Sequence, residues 1–342
     1  MSARSDVAAT SRLAAAAGTA LMVAVCSGCG GNDSAKSDDT TTPTSLADGY
    51  RQAKWQTGVT VSFSGDCTMT YTSTGAPSHG QAAYYLVPVA LGGGSQDDVV
   101  ATTPHGGLEL GVSQLPVSTT SQTYILDICP AAATNTTATS GGATGWMVSG
   151  AAMFNAYEGD MTTVATNDNV SYSFVDTKGV SQTASFLDTC SGHQAPNNQY
   201  HYHGWSSCLS EEAGDTDAGP SHLVGVALDG YPIYGDRDIN GQQVAVTALD
   251  ECNGITSPTP EFPSGVYHYV LPQGSLTAQA APRCYRGTAP TQLAMQVALT
   301  TGICSTPRQK VLAQVGRQPS MPVASTATAL RTRLLAAAVD PA

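Results

Sequence analysis

The chain has 342 residues, of which 41% are hydrophobic and 12% are charged, and its formal net charge is −12. This charge excludes nucleic acid as a partner, because contacts to phosphates require clustered Lys and Arg, and the sequence has no such cluster. A charged fraction this far below the roughly 25% of typical globular domains, together with abundant Gly, Ala, Ser and Thr, favours an exported β-rich protein over a helical bundle.

The N-terminus has the pattern of an export signal. Residues 13–25 form an apolar stretch that follows Arg4 and Arg12. The stretch has the length of a signal-peptide core and is too short and too rich in Ala for a membrane span. We therefore predict a signal peptide over residues 1–28.

A lipid attachment site is predicted directly after the signal peptide. The small residues Ser27 and Gly28 precede Cys29, as in a bacterial lipobox, whereas Cys26 is a weaker candidate because it follows Val. Residues 29–48 are polar and predict a flexible tether. A lipid on Cys29 would attach the exported chain to a membrane of the cell envelope, and a soluble secreted protein is the alternative.

Residues 49–144 are predicted to form an N-terminal β-rich region. GVTVSFSGDCTMTYTSTG alternates apolar and polar residues, which predicts two strands joined by a turn. AAYYLVPVAL, LELGVSQL and QTYILDIC predict further strands, and NVSYSFVDTKGVSQTASFL predicts a hairpin that bends at Lys178-Gly179. Residues 306–342 contain the best helical pattern of the chain and are interpreted as a flexible tail.

An internal repeat is the most informative feature of the sequence. GWMVSGAAMFN begins at Gly145 and GVALDGYPIYG begins at Gly225, and each is interpreted as an apolar strand that ends in an aromatic residue. Each is followed by an Asp-x-Cys-x-Gly element, then by YHYH or YHYV, and then by a cysteine. Four landmarks in the same order predict a duplication over about 145–208 and 225–284, inside a domain over 145–305.

These landmarks resemble the YHYH protein family, which is named for its tetrad. DTCSGH, YHYH, HLVGVALDGYPIYG, LDECNG, YHYV and CYRG carry the resemblance over roughly residues 145–287. The resemblance implies a place outside the cytoplasm and no particular reaction. The chain departs from the family pattern at Ile255, where members have the His of CNGH, and at Val270, where the second tetrad is usually complete. Each departure removes one imidazole from the second copy, so a site of the family is asymmetric here.

The expected fold is mainly β, a disulfide-stabilised domain with an internal duplication. Apart from Cys26 and Cys29 the chain has seven cysteines, and an exported chain lies where disulfides persist. The repeat favours one bridge per copy and one in the N-terminal region, namely Cys190–Cys208, Cys252–Cys284 and Cys67–Cys129. Cys304 would then be unpaired. A bridge between Cys190 and Cys252 is the alternative, because sequence does not determine connectivity.

The YHYH tetrad predicts a metal site. Alternate side chains of a strand share a face, so His201 and His203 lie together and can reach one ion. Imidazole suits Zn, Cu, Fe and Ni, and the exported compartment favours copper or zinc. A firm zinc site needs three or four protein ligands. If the two copies pack around a pseudo-twofold axis, His268 joins the pair, and His193 and His222 are further candidates.

Asp229 is the one candidate for a catalytic residue. It lies in an apolar segment, where a buried carboxylate is costly without partners. It would orient a ligating histidine or serve as a general base, or else it is a turn aspartate in LDGYP. The sequence has no nucleophile elbow, phosphate loop or His-Glu-x-x-His motif, and it indicates no organic cofactor.

Three hypotheses follow from the sequence. The first is a cell-envelope lipoprotein that binds copper or zinc through histidines. The second is a metal-dependent enzyme of unspecified reaction, with Asp229 or a free histidine as acid and base. The third is a structural or interaction domain in which the tetrad only packs a strand. The sequence leaves open whether the chain is an enzyme, and it names neither a substrate nor a protein partner.

Overall fold

The computed structural model describes residues 45–89, 99–101, 109–114, 120–195 and 198–288. Within these residues the chain forms two short α-helices and eighteen β-strands, which confirms the prediction of a mainly β fold. The predicted signal peptide, Cys29, Cys304 and the tail over 306–342 lie outside the described residues. No helix among those residues is long and apolar enough to cross a bilayer.

The elements are numbered in chain order. The helices are α1 (Leu46–Gln52) and α2 (Ser207–Ala213). The strands are β1 (Thr60–Ser64), β2 (Thr68–Ser73), β3 (Tyr85–Pro88), β4 (Val99–Ala101), β5 (Leu110–Ser113), β6 (Gln122–Asp127), β7 (Ala132–Ala138), β8 (Gly145–Met147), β9 (Ala152–Met153), β10 (Ser171–Val175), β11 (Ser181–Ser185), β12 (Gly192–Gln194), β13 (Tyr200–Tyr202), β14 (Leu223–Ala227), β15 (Pro232–Gly235), β16 (Gly254–Ser257), β17 (Val266–Leu271) and β18 (Cys284–Gly287).

Both helices begin at a serine cap. The Oγ of Ser45 accepts a hydrogen bond from the backbone N–H of Asp48, and the Oγ of Ser206 accepts one from the backbone N–H of Leu209. A serine at this position satisfies a backbone donor that has no partner inside the helix. Because α1 begins at residue 46, residues 46–48 of the predicted tether are helical.

The strands predicted in the N-terminal region form two sheets, the second of which also includes the later hairpin of β10 and β11. One has three strands in the order β1-β2-β6, and the other has five in the order β10-β11-β3-β5-β4. The hairpin of β10 and β11 bends at Gly179, which confirms the predicted turn. Gly179 has a φ of +79°, a conformation that glycine adopts more easily than other residues. A third small sheet pairs β7 with β18.

An eight-stranded sheet contains the tetrads, in the order β12-β13-β9-β8-β14-β15-β17-β16. The order is symmetric about the antiparallel pair of β8 and β14. On each side the sequence of pairings outward is the same: an antiparallel hairpin, a parallel neighbour, and an antiparallel edge strand. The predicted duplication stays an inference from sequence, and this symmetry supports it.

The two segments that begin at Gly145 and Gly225, each with a second glycine five residues later, differ in one respect from their predicted form. Each is a hairpin of two short strands rather than one strand, because its second glycine turns the chain. Gly150 has a φ of +102° and Gly230 a φ of +88°, values that L side chains rarely adopt. Ser149 and Asp229 therefore lie at equivalent places in the two turns.

The cysteines of the described residues form three disulfides, Cys67–Cys129, Cys190–Cys208 and Cys252–Cys284. These are the pairs that the repeat favoured, and the alternative bridge between Cys190 and Cys252 is wrong. Each tetrad-bearing half has its own bridge. These two bridges join cysteines that are 18 and 32 residues apart along the chain, so each one cross-links residues of a single half.

The core has two parts. The larger cluster joins the three-stranded sheet to the eight-stranded sheet, and in it Tyr124 stacks on Trp146 with ring centroids 3.8 Å apart. The smaller cluster belongs to the five-stranded sheet and includes Leu86, Leu110 and Phe186. Most of the driving force for this arrangement comes from removing these apolar surfaces from water.

The Asp-x-Cys-x-Gly elements are turns that hold the tetrad strands. The Asp188 carboxylate accepts hydrogen bonds from the backbone N–H of Cys190 and from the hydroxyl of Tyr200. Asp250 likewise accepts bonds from the backbone of Cys252 and from the hydroxyl of Tyr267. The first tyrosine of each tetrad is thus tied to the turn that precedes it.

Gly192 supplies a test of this arrangement. A Cβ at residue 192 would lie 2.4–2.6 Å from the ring and hydroxyl of Tyr200, so Gly192→Ala must displace that ring. We expect the free energy of unfolding in urea to fall by about 1–3 kcal/mol, the usual cost of overpacking. Gly80→Ala is the matched control, because its Cβ would meet nothing within 4 Å. Equal stability of the two variants would contradict the packing argument.

Candidate metal centre

Three histidines of the first half converge at one end of the eight-stranded sheet. His193 lies on β12, and His201 lies opposite it on β13. His203 follows two residues later and projects to the same side as His201, as the alternation of a strand predicted. The rings of Tyr200 and Tyr202 pack against each other, with centroids 5.3 Å apart.

The Nε2 atoms of these histidines form a nearly equilateral triangle. The separations are 3.0 Å between His193 and His201, 3.1 Å between His193 and His203, and 3.0 Å between His201 and His203. This group, the histidine triad, is therefore compact enough for its three nitrogens to share one ion. The prediction that His201 and His203 lie together is confirmed.

The opposite ring nitrogens of two of these histidines contact main-chain carbonyls. Nδ1 of His203 lies 2.8 Å from the carbonyl oxygen of Asn155, and Nδ1 of His201 lies 3.2 Å from that of Gln199. Burial lowers the pKa of His193, and a hydrogen bond with the backbone of Phe186 acts against this effect. A carbonyl only accepts, and thus His201 and His203 donate from Nδ1 and direct the lone pair of Nε2 into the triangle.

The surroundings keep the triad neutral. His201 is 4% exposed and His203 is 3% exposed. Burial lowers the pKa of all three imidazoles, that of His203 to about 4, and the neighbouring histidines lower the pKa of His193 and His201 further. The ring of Phe154 stacks on His201 with centroids 3.8 Å apart, and Phe186 meets His193 edge-on. These rings restrict the rotation of the imidazoles.

The triangle fits a transition metal ion. The three Nε2 atoms lie 3.0–3.1 Å from one another, so His193, His201 and His203 would all be within reach of one zinc or copper ion at ordinary bond lengths of about 2.0–2.1 Å. Three protein ligands with an open position are typical of catalytic zinc sites, whereas structural sites have four.

His268 does not join the triad. It lies on β17, which is five strands away from β13 in the same sheet, about 24 Å at the usual strand spacing. Its Nδ1 contacts the carbonyl oxygen of Val266, and its ring packs on Tyr234. The expectation that the two halves bring His268 close to His201 is therefore wrong. The halves meet at β8 and β14, and the two tetrads lie near opposite ends of the eight-stranded sheet.

The second half has apolar residues at the other two positions. Ile255 faces His268 across the pair of β16 and β17, in the register in which His193 faces His201. Val270 follows His268 as His203 follows His201. The comparison of DTCSGH with DECNGI thus contained the signal for His193, which the sequence interpretation treated only as an additional ligand.

His222 lies elsewhere and has an acidic partner. Its Nδ1 is 2.8 Å from Oε1 of Glu261, and its backbone N–H donates to Asp215. The other carboxylate oxygen of Glu261 accepts a hydrogen bond from Tyr234. The hydrogen bond with Glu261 raises the pKa of His222, although partial burial and Lys54 act in the opposite direction. This residue belongs to an ion pair and contributes nothing to the triad.

Asp229 lies in the turn between β14 and β15, which is the position of a turn aspartate, one of its three predicted roles. Its Oδ2 accepts hydrogen bonds from the hydroxyl of Tyr269 and the backbone N–H of Gly287, at 2.6 and 2.8 Å. Burial raises its pKa against the opposing effect of these bonds. In the first half the equivalent contact is that of Tyr202 with Ser149. The contacts of Asp229 lie in the second half, so the structure does not place it beside the histidines.

Two other groups of potential ligands occur among the described residues, and each includes the two cysteines of a disulfide. They are His79 with Cys190 and Cys208, and Glu251 with Cys252 and Cys284. A metal binds thiolates, whereas the sulfurs here are bonded to each other. Of the three groups found among the described residues, the histidine triad is the one in which all three donor atoms are free of a disulfide and can bind a metal.

Comparison with known proteins gives one match. The model of the YHYH protein family matches residues 123–243 and 237–287. The matched residues include both tetrads, both Asp-x-Cys-x-Gly turns and the complete triad. No curated protein and no solved structure matches the chain.

The ion pair of His222 predicts a pH-dependent contribution to stability. A histidine whose pKa is raised on folding stabilises the fold below its unfolded pKa of about 6.5, and this stabilisation is lost as the pH rises through the folded pKa. With a side chain that is 33% exposed, the contribution should stay below about 1 kcal/mol. We expect His222→Gln to be less stable than the parent at about pH 5.5 and equal to it at about pH 8.5 in urea titrations. A difference that does not change with pH would contradict this prediction.

Proposed function

The chain belongs to the YHYH protein family, and we propose that its YHYH domain binds one transition metal ion, copper or zinc, through His193, His201 and His203. A single observation carries the proposal. Three Nε2 atoms face one another at 3.0–3.1 Å, while the Nδ1 atoms of the buried His201 and His203 are occupied by carbonyls. Neutral imidazoles in this tautomer leave His201 and His203 without a proton for their mutual contact, and a cation at the open side of the triangle would satisfy all three nitrogens.

The donor set supports the choice of metal. The triad consists of imidazoles alone, which suit zinc and copper and are poor ligands for magnesium or calcium. The carbonyl partners of Nδ1 fix the tautomer and the ring orientation, as the outer partners of ligating histidines usually do. The interpretation as mere strand packing is less favourable, because buried acceptors without donors are costly.

A metal-dependent enzyme is the second candidate function. The supporting observation is that three ligands leave a coordination position open, and that all three histidines line a cavity. A metal at this position would polarise a bound group or lower the pKa of a bound water. Asp229 has no part in this candidate function, because its partners are Tyr269 and Gly287.

We extend the proposal to the place of the protein in the cell. Ser27, Gly28 and Cys29 follow an apolar stretch in the order of a bacterial lipoprotein signal. Three disulfides are in keeping with an oxidising compartment outside the cytoplasm. The protein is thus an exported, lipid-anchored metal binder of the cell envelope.

Metal analysis of the untagged protein tests the proposed site. We expect about one zinc or copper ion per chain after loading and dialysis, and little metal in His201→Gln, since two imidazoles do not make a firm site. His268→Gln is the matched control, because it removes the histidine at the same tetrad position of the second half. Free metal at about a hundred times its Kd should stabilise the parent and the control by about 2.7 kcal/mol.

Two results would overturn the metal proposal. The first is a stoichiometry near zero in the parent, with no gain in stability when zinc or copper is added. The second is an equal loss of metal in His201→Gln and His268→Gln, which would mean that the triad is not the site.

Fatty-acid labelling in a bacterial host tests the anchor. Cys29→Ser should abolish incorporation of a labelled fatty acid and release the protein from the detergent phase, because the thiol that accepts the lipid is lost. Cys26→Ser, three residues earlier, should remain labelled. Loss of label in Cys26→Ser alone would move the anchor to Cys26, and absence of label in the parent would leave a secreted protein without lipid.

A further inference from the structure

A cavity of about 510 Å³ extends from the histidine triad. Its lining includes residues of β3 in the five-stranded sheet and of β12 and β13 in or beside the eight-stranded sheet, and members of both core clusters. All three histidines form part of its wall. Its size is within the range of about 300–1,000 Å³ that small-molecule sites occupy.

The walls of this cavity are mainly apolar. Leu86, Val87, Phe154 and Phe186 line it next to the triad. Phe154 also contacts the imidazoles of His201 and His203, and Phe186 contacts that of His193. The apolar wall of the cavity therefore continues to the histidine triad. A molecule that fills the cavity would bury its own apolar surface against these side chains.

The charged groups of the cavity exclude some ligands. The described lining residues include Glu158 and Asp160 and neither Lys nor Arg. Asp160 uses its carboxylate for hydrogen bonds from Thr162 and Thr163 in its own loop. A phosphate or another multiply charged anion would find no cationic side chain among these residues, and such groups are usually recognised by Arg or Lys.

The metal is then the strongest polar attachment point for a ligand. Neutral imidazoles leave the charge of a divalent ion uncompensated, so a ligand with one oxyanion or another single donor is attracted to the open position. The remainder of that ligand must be apolar to match the walls. Both requirements apply to the same molecule, because the triad and the apolar side chains line one cavity.

We infer that the site takes a small, largely aromatic or aliphatic molecule with a single metal-binding group, which coordinates the triad's metal while its apolar body fills the cavity. This inference rests on the proposed metal site and adds the class of ligand to it. It applies equally to a bound ligand and to a substrate, and it specifies no reaction.

The test uses the full chain loaded with cobalt(II), whose visible absorption reports a change in coordination. Benzohydroxamate and acetohydroxamate have the same metal-binding group, and they differ in that the first has a phenyl ring where the second has a methyl group. We expect benzohydroxamate to bind at least about tenfold more tightly, because its ring leaves water for the apolar cavity. Benzylphosphonate, with two negative charges, should bind more weakly than benzohydroxamate.

A pair of glycine variants locates the binding of the ring. Gly141 lines the cavity, and a Cβ there meets only Sδ of Met161, at 3.7 Å, so Gly141→Leu can extend into the cavity without backbone strain. This variant should keep its cobalt and lose most of the preference for benzohydroxamate. Gly80→Leu is the control, since residue 80 is exposed, has open space around it, and does not line the cavity.

The outcomes separate this inference from the proposed function. Cobalt binding with equal affinity for the two hydroxamates would overturn the inference and leave the metal site intact. Absence of cobalt, zinc and copper binding by the parent would overturn both. Should Gly141→Leu fail to fold, the ratio of the two affinities in the parent still decides. A preference for the aromatic probe that Gly141→Leu and Gly80→Leu change equally would also count against the cavity.

Discussion

The register between β12 and β13 is the constraint on which the candidate site depends. Only the pairing of His193 with His201 brings three imidazole nitrogens to one point. A slip by one residue would turn His193 to the other face of the sheet, because side chains alternate along a strand. Two bonds oppose such a slip: the hydrogen bond of Tyr200 to the turn at Asp188, and the covalent bridge from Cys190 to α2. The tetrad tyrosines thus hold the frame in which the histidines act.

This division of roles within the tetrad is visible in the second half. There Tyr267 bonds to Asp250, and Tyr269 bonds to Asp229, so both tyrosines keep their attachments. Strands β16 and β17 retain the register, although Ile255 takes the place of one histidine. The frame therefore forms without the full set of three histidines. It follows that the histidines of the first half are not needed to pair the strands, and that their convergence calls for an explanation outside folding.

Much of the fold followed from local patterns. The strands, the hairpin at Gly179 and the three disulfides could be predicted, because alternation, turn residues and repeated cysteines act over short distances or recur in both halves. The partner of His201 and His203 could not be predicted with the same success. A choice between His193 and His268 depends on how the halves meet, and the sequence does not state that β8 and β14 are the central pair. The cavity was likewise hidden, since its walls come from distant segments such as those of Leu86 and Phe154.

The apolar residues beside His268 bear on which substitutions this sheet can accept during evolution. Ile255 and Val270 occupy the positions that correspond to two members of the triad, and the backbone there already has the matching register. Two single-residue replacements therefore separate the second half from a full set of three donors. Ile255 is half-buried, whereas Val270 is only 1% exposed, so a histidine at residue 270 would cost stability unless its ring nitrogens found partners. Replacements at these two residues leave the histidine triad at the other end of the sheet in place.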